Sequence, residues 1–402
     1  MESSVRANAK HWISDRLAEA RQRTLELLAP LDEVQTQRIY APILSPLIWD
    51  LGHIASFEDL WLVQQIGGRG PLRGELGALY DAIEQPRPER GELPILSGEE
   101  LRVYLDAVRE RTYEVLEEVS FDDSNPLLQG GFVYELLLAH EHQHNETMLQ
   151  TIQMTERYEP VRTYPAPEAR RPSAGPEMVA HPGGEVEIGA GPQGFAYDNE
   201  RDRHAVVVGS FELDRLPVTN EAYAAFVEDT GAEPPMYWSR DGSGGWVRTT
   251  MGRTRELVAS EPVVHVDFHQ ASAFAEWAGK RLPSELEWEA AARGADPGEG
   301  NLDQLSFGAQ SPGLRPAGAS HCGALGMLGD VWEWTSSEFR AYPGFRAFPY
   351  PEYSEVCFGP AHRVLRGGSW ATRRNLVRSS LRNWDLPGRR QIFAGIRCAR
   401  DV

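Results

Sequence analysis

The chain has no long apolar run, almost no cysteine and too few basic residues to balance its acids. Each shortage narrows what it can be. No stretch of about 18 apolar residues occurs, so no transmembrane helix is expected. Residues 1–24 carry charges throughout and lack the apolar segment of an export signal, so none is expected there. Cysteine is limited to Cys322, Cys357 and Cys398. An odd number without C-x-x-C spacing is neither a disulfide framework nor a thiolate metal site, and a reducing cytoplasm is the simplest setting. Lys plus Arg is 40 against 59 for Asp plus Glu, a formal net charge of −19. Such a surface repels phosphate backbones and anionic lipid, which argues against nucleic-acid and membrane partners.

What remains is the composition of a globular protein, 41% hydrophobic and 25% charged. A chain of 402 residues exceeds one ordinary core and predicts two domains, with room for a third. Over residues 1–160, apolar positions recur at three and four in segments 9–30, about 43–66, 98–119 and 130–155. Pro42, Pro46, Pro86, Pro88, Pro94 and Pro126 fall between the segments, where helix breakers belong. The pattern predicts a four-helix bundle, a fold that places metal sites between facing helices. Residues 161–181 are rich in Pro, Ala and charge and read as a linker.

From residue 182 to 402 the texture changes to Gly, Trp and short β-like runs: GGEVEIGA, HAVVVGSFEL, EPVVHVDF and HRVLRGGSW. Two helices are predicted among them, 219–228 and 269–293. The second is divided at Pro283–Ser284, where Ser284 and Glu287 have capping-box spacing and Gly294 supplies a stop. The second domain is therefore α+β with much irregular chain, and no internal repeat is evident.

The strongest chemical signal is LLLAHEHQHNETMLQ, residues 136–150. On a helix His140 and His144 lie ~40° apart on one face, which Gln143 shares, while His142 points roughly opposite. Two imidazoles at i and i+4 suit one metal ion or a polar, solvated face. His53, in the amphipathic segment PLIWDLGHIASFEDLWLV, is a core histidine or a third ligand from a facing helix. Three neutral nitrogens leave open positions on an ion, which suits Zn(II) hydrolysis or Fe(II) oxygen chemistry, and spacing alone does not choose.

With these motifs in view, the chain resembles the ergothioneine-pathway sulfoxide synthases, or hercynine oxygenases, in the bacterial form that takes γ-glutamylcysteine. WDLGHI and HEHQHNETML are similar to DinB-like bundles. LPVTNEAYAAF, RLPSELEWEAAARG, GMLGDVWEWTSS, RVLRGGSW and FAGIRCA are similar to the C-type-lectin-like formylglycine-generating-enzyme/sulfatase-modifying fold. The resemblance implies His53, His140 and His144 as Fe(II) ligands and Gln143 as a hydrogen-bond partner of the substrate imidazole. It implies that Arg87 and Arg90, in LYDAIEQPRPERGELPILS, grip the thiol substrate's carboxylate, a task suited to a guanidinium fork. In SSLRNWDLPGRRQIFAG it implies Asn383 and Trp384 at the trimethylammonium of hercynine, a group suited to aromatic surfaces. Asp385 and Arg389 would hold the ends of the γ-glutamyl dipeptide. Tyr350 in FRAFPYPEYSE aligns with the catalytic tyrosine, with Tyr353 and Tyr342 as close competitors.

The implied reaction is O2-dependent C–S bond formation and sulfoxidation joining γ-glutamylcysteine to imidazole C2 of hercynine. Free cysteine as the thiol, or an ovothiol-type 5-histidylcysteine sulfoxide synthase, is the neighbouring alternative. Ovothiol-type chains usually carry an appended methyltransferase, whereas this sequence stops at Val402. A Zn-dependent bundle hydrolase or transferase and a non-enzymatic binding protein are the readings from other classes. Formylglycine-generating activity is not expected. The stretch LVRSSLRNW has Ser379 and Ser380 where that activity needs a cysteine, and Cys398 stands alone.

Overall fold

A computed structural model describes residues 2–121, 124–162 and 175–402, with side chains from residue 8. The chain divides into two units, Met1–Arg162 and Thr163–Val402. No helix among the described residues is long and apolar enough to cross a membrane.

The first unit contains α1 (Glu2–Leu28), α2 (Glu33–Gln37), α3 (Leu47–Glu58), α4 (Gly74–Leu79), α5 (Gly98–Glu118) and α6 (Phe132–Ile152). Helices α3, α5 and α6 fall within the segments marked by the apolar period, and α1 overlaps its segment but begins seven residues earlier. Pro46 stands at the N-cap of α3, where a missing N–H costs nothing, and α3 widens into a π-helical stretch, Asp59–Ile66. Gly130 and Gly131, at φ 58° and 76°, make the left-handed entry to α6. Trp49, Leu62, Val108, Val133, Leu149 and Ile152 are fully buried.

Within this apolar core lies a charged layer. Arg21 of α1 reaches Glu58 of α3 and Glu141 of α6, both at 2.9 Å. Arg109 of α5 binds Glu58 through Nε at 2.7 Å, and Thr24 donates to Glu141 at 2.7 Å. Burial pushes the Glu58 carboxyl up, but Arg109 and Arg21 outweigh it and hold it below the usual carboxylate range. The layer ties four helices into one register, with Glu58 and Glu141 each next in sequence to a residue of the histidine site described below.

The second unit contains β1 (Met178–His181), β2 (Gly184–Ile188), β3 (His204–Val208), β4 (Phe211–Asp214), α7 (Asn220–Thr230), β5 (Trp238–Arg240), β6 (Trp246–Thr250) and β7 (Arg253–Glu256). There follow α8 (Phe268–Trp277), α9 (Glu285–Ala292), β8 (Trp332–Phe339), β9 (Gly359–Arg366), β10 (Arg382–Asp385), β11 (Ala394–Gly395) and β12 (Ala399–Asp401). The sheets are β1-β4-β12, β10-β9-β8-β11, β2-β3 and β5-β6-β7. All pairings are antiparallel except β11 with β8. The unit is α+β with much irregular chain, as the sequence predicts.

The motifs act as core fasteners. Ser284 and Glu287 form the reciprocal capping box of α9. Glu333 of GMLGDVWEWTSS accepts from Trp288 Nε1 at 2.6 Å and pairs with Arg397 of FAGIRCA at 2.8 Å, where Glu333 is nearly and Arg397 fully buried.

Three expectations need correction. The linker stretch 161–181 is not all linker: residues 163–174 lie outside the described residues, and Met178–His181 is a strand against β4. The division of 269–293 expected at Pro283–Ser284 is present but wider: the chain leaves α8 at Ala278, turns at Gly279 (φ 67°) and enters α9 after Ser284. EPVVHVDF is buried at its valines but is no strand. His265 at φ 68° breaks the extended path, leaving only an isolated bridge between Thr219 and Pro262.

Candidate metal centre

Helix α3 carries His53 and helix α6 carries His140 and His144, and one ligand nitrogen from each lies within 4.8 Å of the others. The ring centroids are 4.9 Å (His53–His140), 4.7 Å (His53–His144) and 4.5 Å (His140–His144) apart. His53 Nε2 stands 3.1 Å from His140 Nε2. Three nitrogens so placed are within reach of one ion at about 2 Å from each after small ring rotations.

The far side of two rings is fixed. His53 Nδ1 lies 2.6 Å from the Tyr80 carbonyl, which can only accept, so Nδ1 carries the proton and Nε2 the lone pair. His144 Nδ1 lies 2.9 Å from Asp50 Oδ1, an arrangement that again leaves Nε2 for the ion. Burial, with His144 nearby, keeps His53 and His140 well below the usual imidazole range. They are therefore neutral at neutral pH, the form a metal requires. This donor set, all nitrogen with the outer atoms already engaged, fits a mononuclear divalent transition-metal ion.

Aromatic rings brace the histidines. Trp49 stacks on His53 with centroids 5.0 Å apart and planes 10° from parallel, and Phe57 stacks on His140 at 3.8 Å and 10°. Gly52 of WDLGHI makes room for Tyr80. A Cβ at that position would meet the tyrosine ring at 2.3 Å. The Tyr80 hydroxyl is held in turn by the Leu96 N–H at 2.9 Å.

Gln143 is half-buried on α6, beside His144. His142 is buried and lies outside the trio, as its direction on the helix predicts. Arg87 is half-buried at the start of a short 3-10 turn and donates to the Ile43 carbonyl at 3.1 Å. Arg90, expected with Arg87 to grip the thiol substrate's carboxylate, has its guanidinium engaged by its own loop and by Ser45. It is buried, lies 3.6 Å over the Trp49 ring, and donates to the Gln85 carbonyl, Ser45 Oγ and the Ala82 carbonyl. A guanidinium committed to three partners organises its loop and backs the Trp49–His53 stack.

In the second unit, Asn383, Trp384 and Asp385 sit half-buried on β10, in register with Leu365, Val364 and Arg363 of β9. Trp384 stacks on Phe339 at 4.1 Å and meets Tyr353 edge-on at 5.8 Å. Asp385 and the buried Arg389 face each other at 3.7 Å. Tyr350 is half-buried, 6.2 Å from Tyr353. Its loop is clamped by buried Asp198, which accepts from Phe348 N–H at 3.2 Å and from the Ser354 hydroxyl. Of the competing tyrosines, Tyr353 stacks on Tyr197 at 4.6 Å. Tyr342 is buried, donates to Glu285 at 3.2 Å and has its phenol pushed up by burial. Ser380 donates to Glu200 at 2.9 Å, and burial pushes the Cys398 thiol well up, so neither is a reactive group.

The sequence reading missed Asp50, Tyr80, Trp49, Phe57 and Asp198. Asp50, Trp49 and Phe57 had a signal: three and four residues before His53 and four after it, they share that residue's helical face.

Comparison with known proteins accords with this geometry. Residues 16–148 match the DinB superfamily, and residues 163–402 match the sulfatase-modifying factor enzyme 1-like domain. The hercynine oxygenase of Mycolicibacterium smegmatis is 40% identical over 434 aligned residues, covering 98% of this chain and all of that protein. The hercynine oxygenase of Mycobacterium tuberculosis is 40% identical, covering 96% of this chain and 98% of that protein. The formylglycine-generating enzyme of Streptomyces coelicolor is 32% identical but matches only 59% of this chain. Likeness to the last therefore concerns one unit, whereas likeness to the first two spans both, and the chain belongs to the hercynine oxygenase family of oxygenases.

Proposed function

We propose that this protein joins the thiol of γ-glutamylcysteine to C2 of the hercynine imidazole with O2, releasing γ-glutamyl-hercynylcysteine S-oxide and water. The balance closes. The thiol and imidazole C2 each lose one hydrogen, one oxygen atom goes to sulfur, and the other leaves as water with both hydrogens. The observation that carries the reading is the His53–His140–His144 cluster in a chain of the hercynine oxygenase family.

Fe(II) on the three histidines would supply the activation of O2 and of the thiol as thiolate. The remaining work falls to this chain's own side chains. Gln143 hydrogen-bonds the hercynine imidazole. Arg87 binds the thiol substrate's carboxylate, and Arg90, being committed to its loop, holds the segment that presents Arg87. Asn383 and the indole of Trp384 take the trimethylammonium group, while Asp385 and Arg389 take the dipeptide's amino and carboxylate ends. Tyr350 donates a proton during coupling. Holding both substrates in one orientation lowers the entropic part of the barrier.

The test is anaerobic reconstitution of the purified chain with Fe(II), then admission of O2 with hercynine and either γ-glutamylcysteine or free cysteine. Expected is O2 uptake that requires both substrates, with the γ-glutamyl sulfoxide identified by mass. Faster turnover of free cysteine would replace the thiol assignment, and full activity with Zn(II) in place of Fe(II) would overturn the oxygenase reading.

A further inference from the structure

Asp50 occupies an unusual position. It lies on α3 one turn before His53, so one helix delivers both a nitrogen of the histidine cluster and a carboxylate beside it. It is only 1% exposed. Oδ1 is 2.9 Å from Nδ1 of His144, on the opposite helix, and buried Oδ2 makes no hydrogen bond. A buried carboxylate with one oxygen unpartnered costs the fold stability, and an apolar residue would pack there more cheaply. Its hydrogen-bond partner is His144, and its charge also acts on Arg90.

We propose that Asp50 is a positioning residue of the metal centre, acting through His144. An ionised carboxylate has no proton to give, so Nδ1 of His144 must donate and the lone pair stays on Nε2, toward His53 and His140. In the other tautomer Nε2 would carry a proton and could not bind an ion. The negative charge one hydrogen bond away also makes the imidazole a stronger donor to a cation. Asp50 does for His144 what the Tyr80 carbonyl does for His53, with a full charge added. Because α3 carries Asp50 and His53 together, a shift of this helix would misplace two of the three ligands at once.

The inference rests on the His53–His140–His144 metal reading and is tested apart from it. The full-length metal-free chain is titrated with Co(II), whose visible absorption reports nitrogen coordination without any turnover. Wild type should take up one ion; failure to do so would refute the metal reading itself. Asp50→Asn keeps the size and removes the charge, and its Co(II) affinity should fall by roughly 10- to 100-fold, while His142→Ala binds as wild type does. Wild-type affinity in Asp50→Asn would overturn the inference. Nitrogen NMR of the metal-free wild-type chain, which needs no variant to fold, should show His144 protonated on Nδ1. A His144 protonated on Nε2 would overturn the inference even if the variant lost affinity.

Discussion

Arg109 holds Glu58 with two nitrogens, Nε at 2.7 Å and Nη2 at 3.0 Å, inside a bundle core where the glutamate side chain is only 3% exposed. Removing the arginine leaves the buried carboxylate with Arg21 as its remaining cation and strips it of two charge-assisted hydrogen bonds, a loss of about 1–3 kcal/mol. Arg109→Met should show that loss at neutral pH by denaturant unfolding. The sign with pH follows from Glu58, whose folded pKa lies below its ordinary 4.5. Its contribution is fully present above 4.5 and disappears as pH falls through the folded value. The gap between wild type and Arg109→Met should therefore narrow in acid, because a neutral Glu58 no longer needs its partner. A gap independent of pH would refute the account.

Gly52→Ala places a methyl where the Tyr80 ring lies, 2.3 Å away. Tyr80 must move, and its carbonyl orients His53. Metal affinity should fall by roughly 10-fold or more while helix content is kept. Tyr80→Ala in the Gly52→Ala background removes the clash and should relieve the strain. No rescue of stability in the double variant would mean the glycine matters for another reason.

The histidines of HEHQH should separate by direction. His140→Ala or His144→Ala should lose iron, measured as metal content after reconstitution, and His142→Ala should retain it. Equal loss in all three would remove the basis for the ligand assignment.

Arg87 and Arg90 should also part company. Replacing Arg87 by Ala should raise the thiol substrate's KM by about 10- to 150-fold, the worth of one charge-assisted hydrogen bond, with little change for hercynine. Arg90→Ala should instead lower the melting temperature, since it deprives two carbonyls, Ser45 and the Trp49 ring of their cation. A pure KM effect in Arg90→Ala would restore it to the carboxylate clamp.

Tyr350→Phe keeps the ring and removes the O–H, so folding and iron content should survive. A thiolate facing O2 can be coupled to the imidazole or oxidised to sulfinate. Loss of the phenol should slow coupling and shift product toward the sulfinic acid, read by mass spectrometry. Tyr353→Phe and Tyr342→Phe serve as comparisons, and a shift confined to either would place the role on the wrong tyrosine.

Periodicity by itself located the four long helices and put His140, Gln143 and His144 on one face, because side-chain direction on a helix follows from residue spacing alone. Ser284 and Glu287 could be read as a cap for the same local reason. Family motifs carried the second unit, whose strands are short, irregular and interrupted by left-handed residues such as His265, which no alternation pattern foretells. Only the tertiary structure showed that His53 comes within 3.1 Å of His140, that Asp50 lies 2.9 Å from His144, and that Arg90 is buried against Trp49. Those facts depend on the packing of α3 against α6 and on a loop folding back over Trp49. Distances between residues about 90 positions apart in sequence are set by which faces exclude water together.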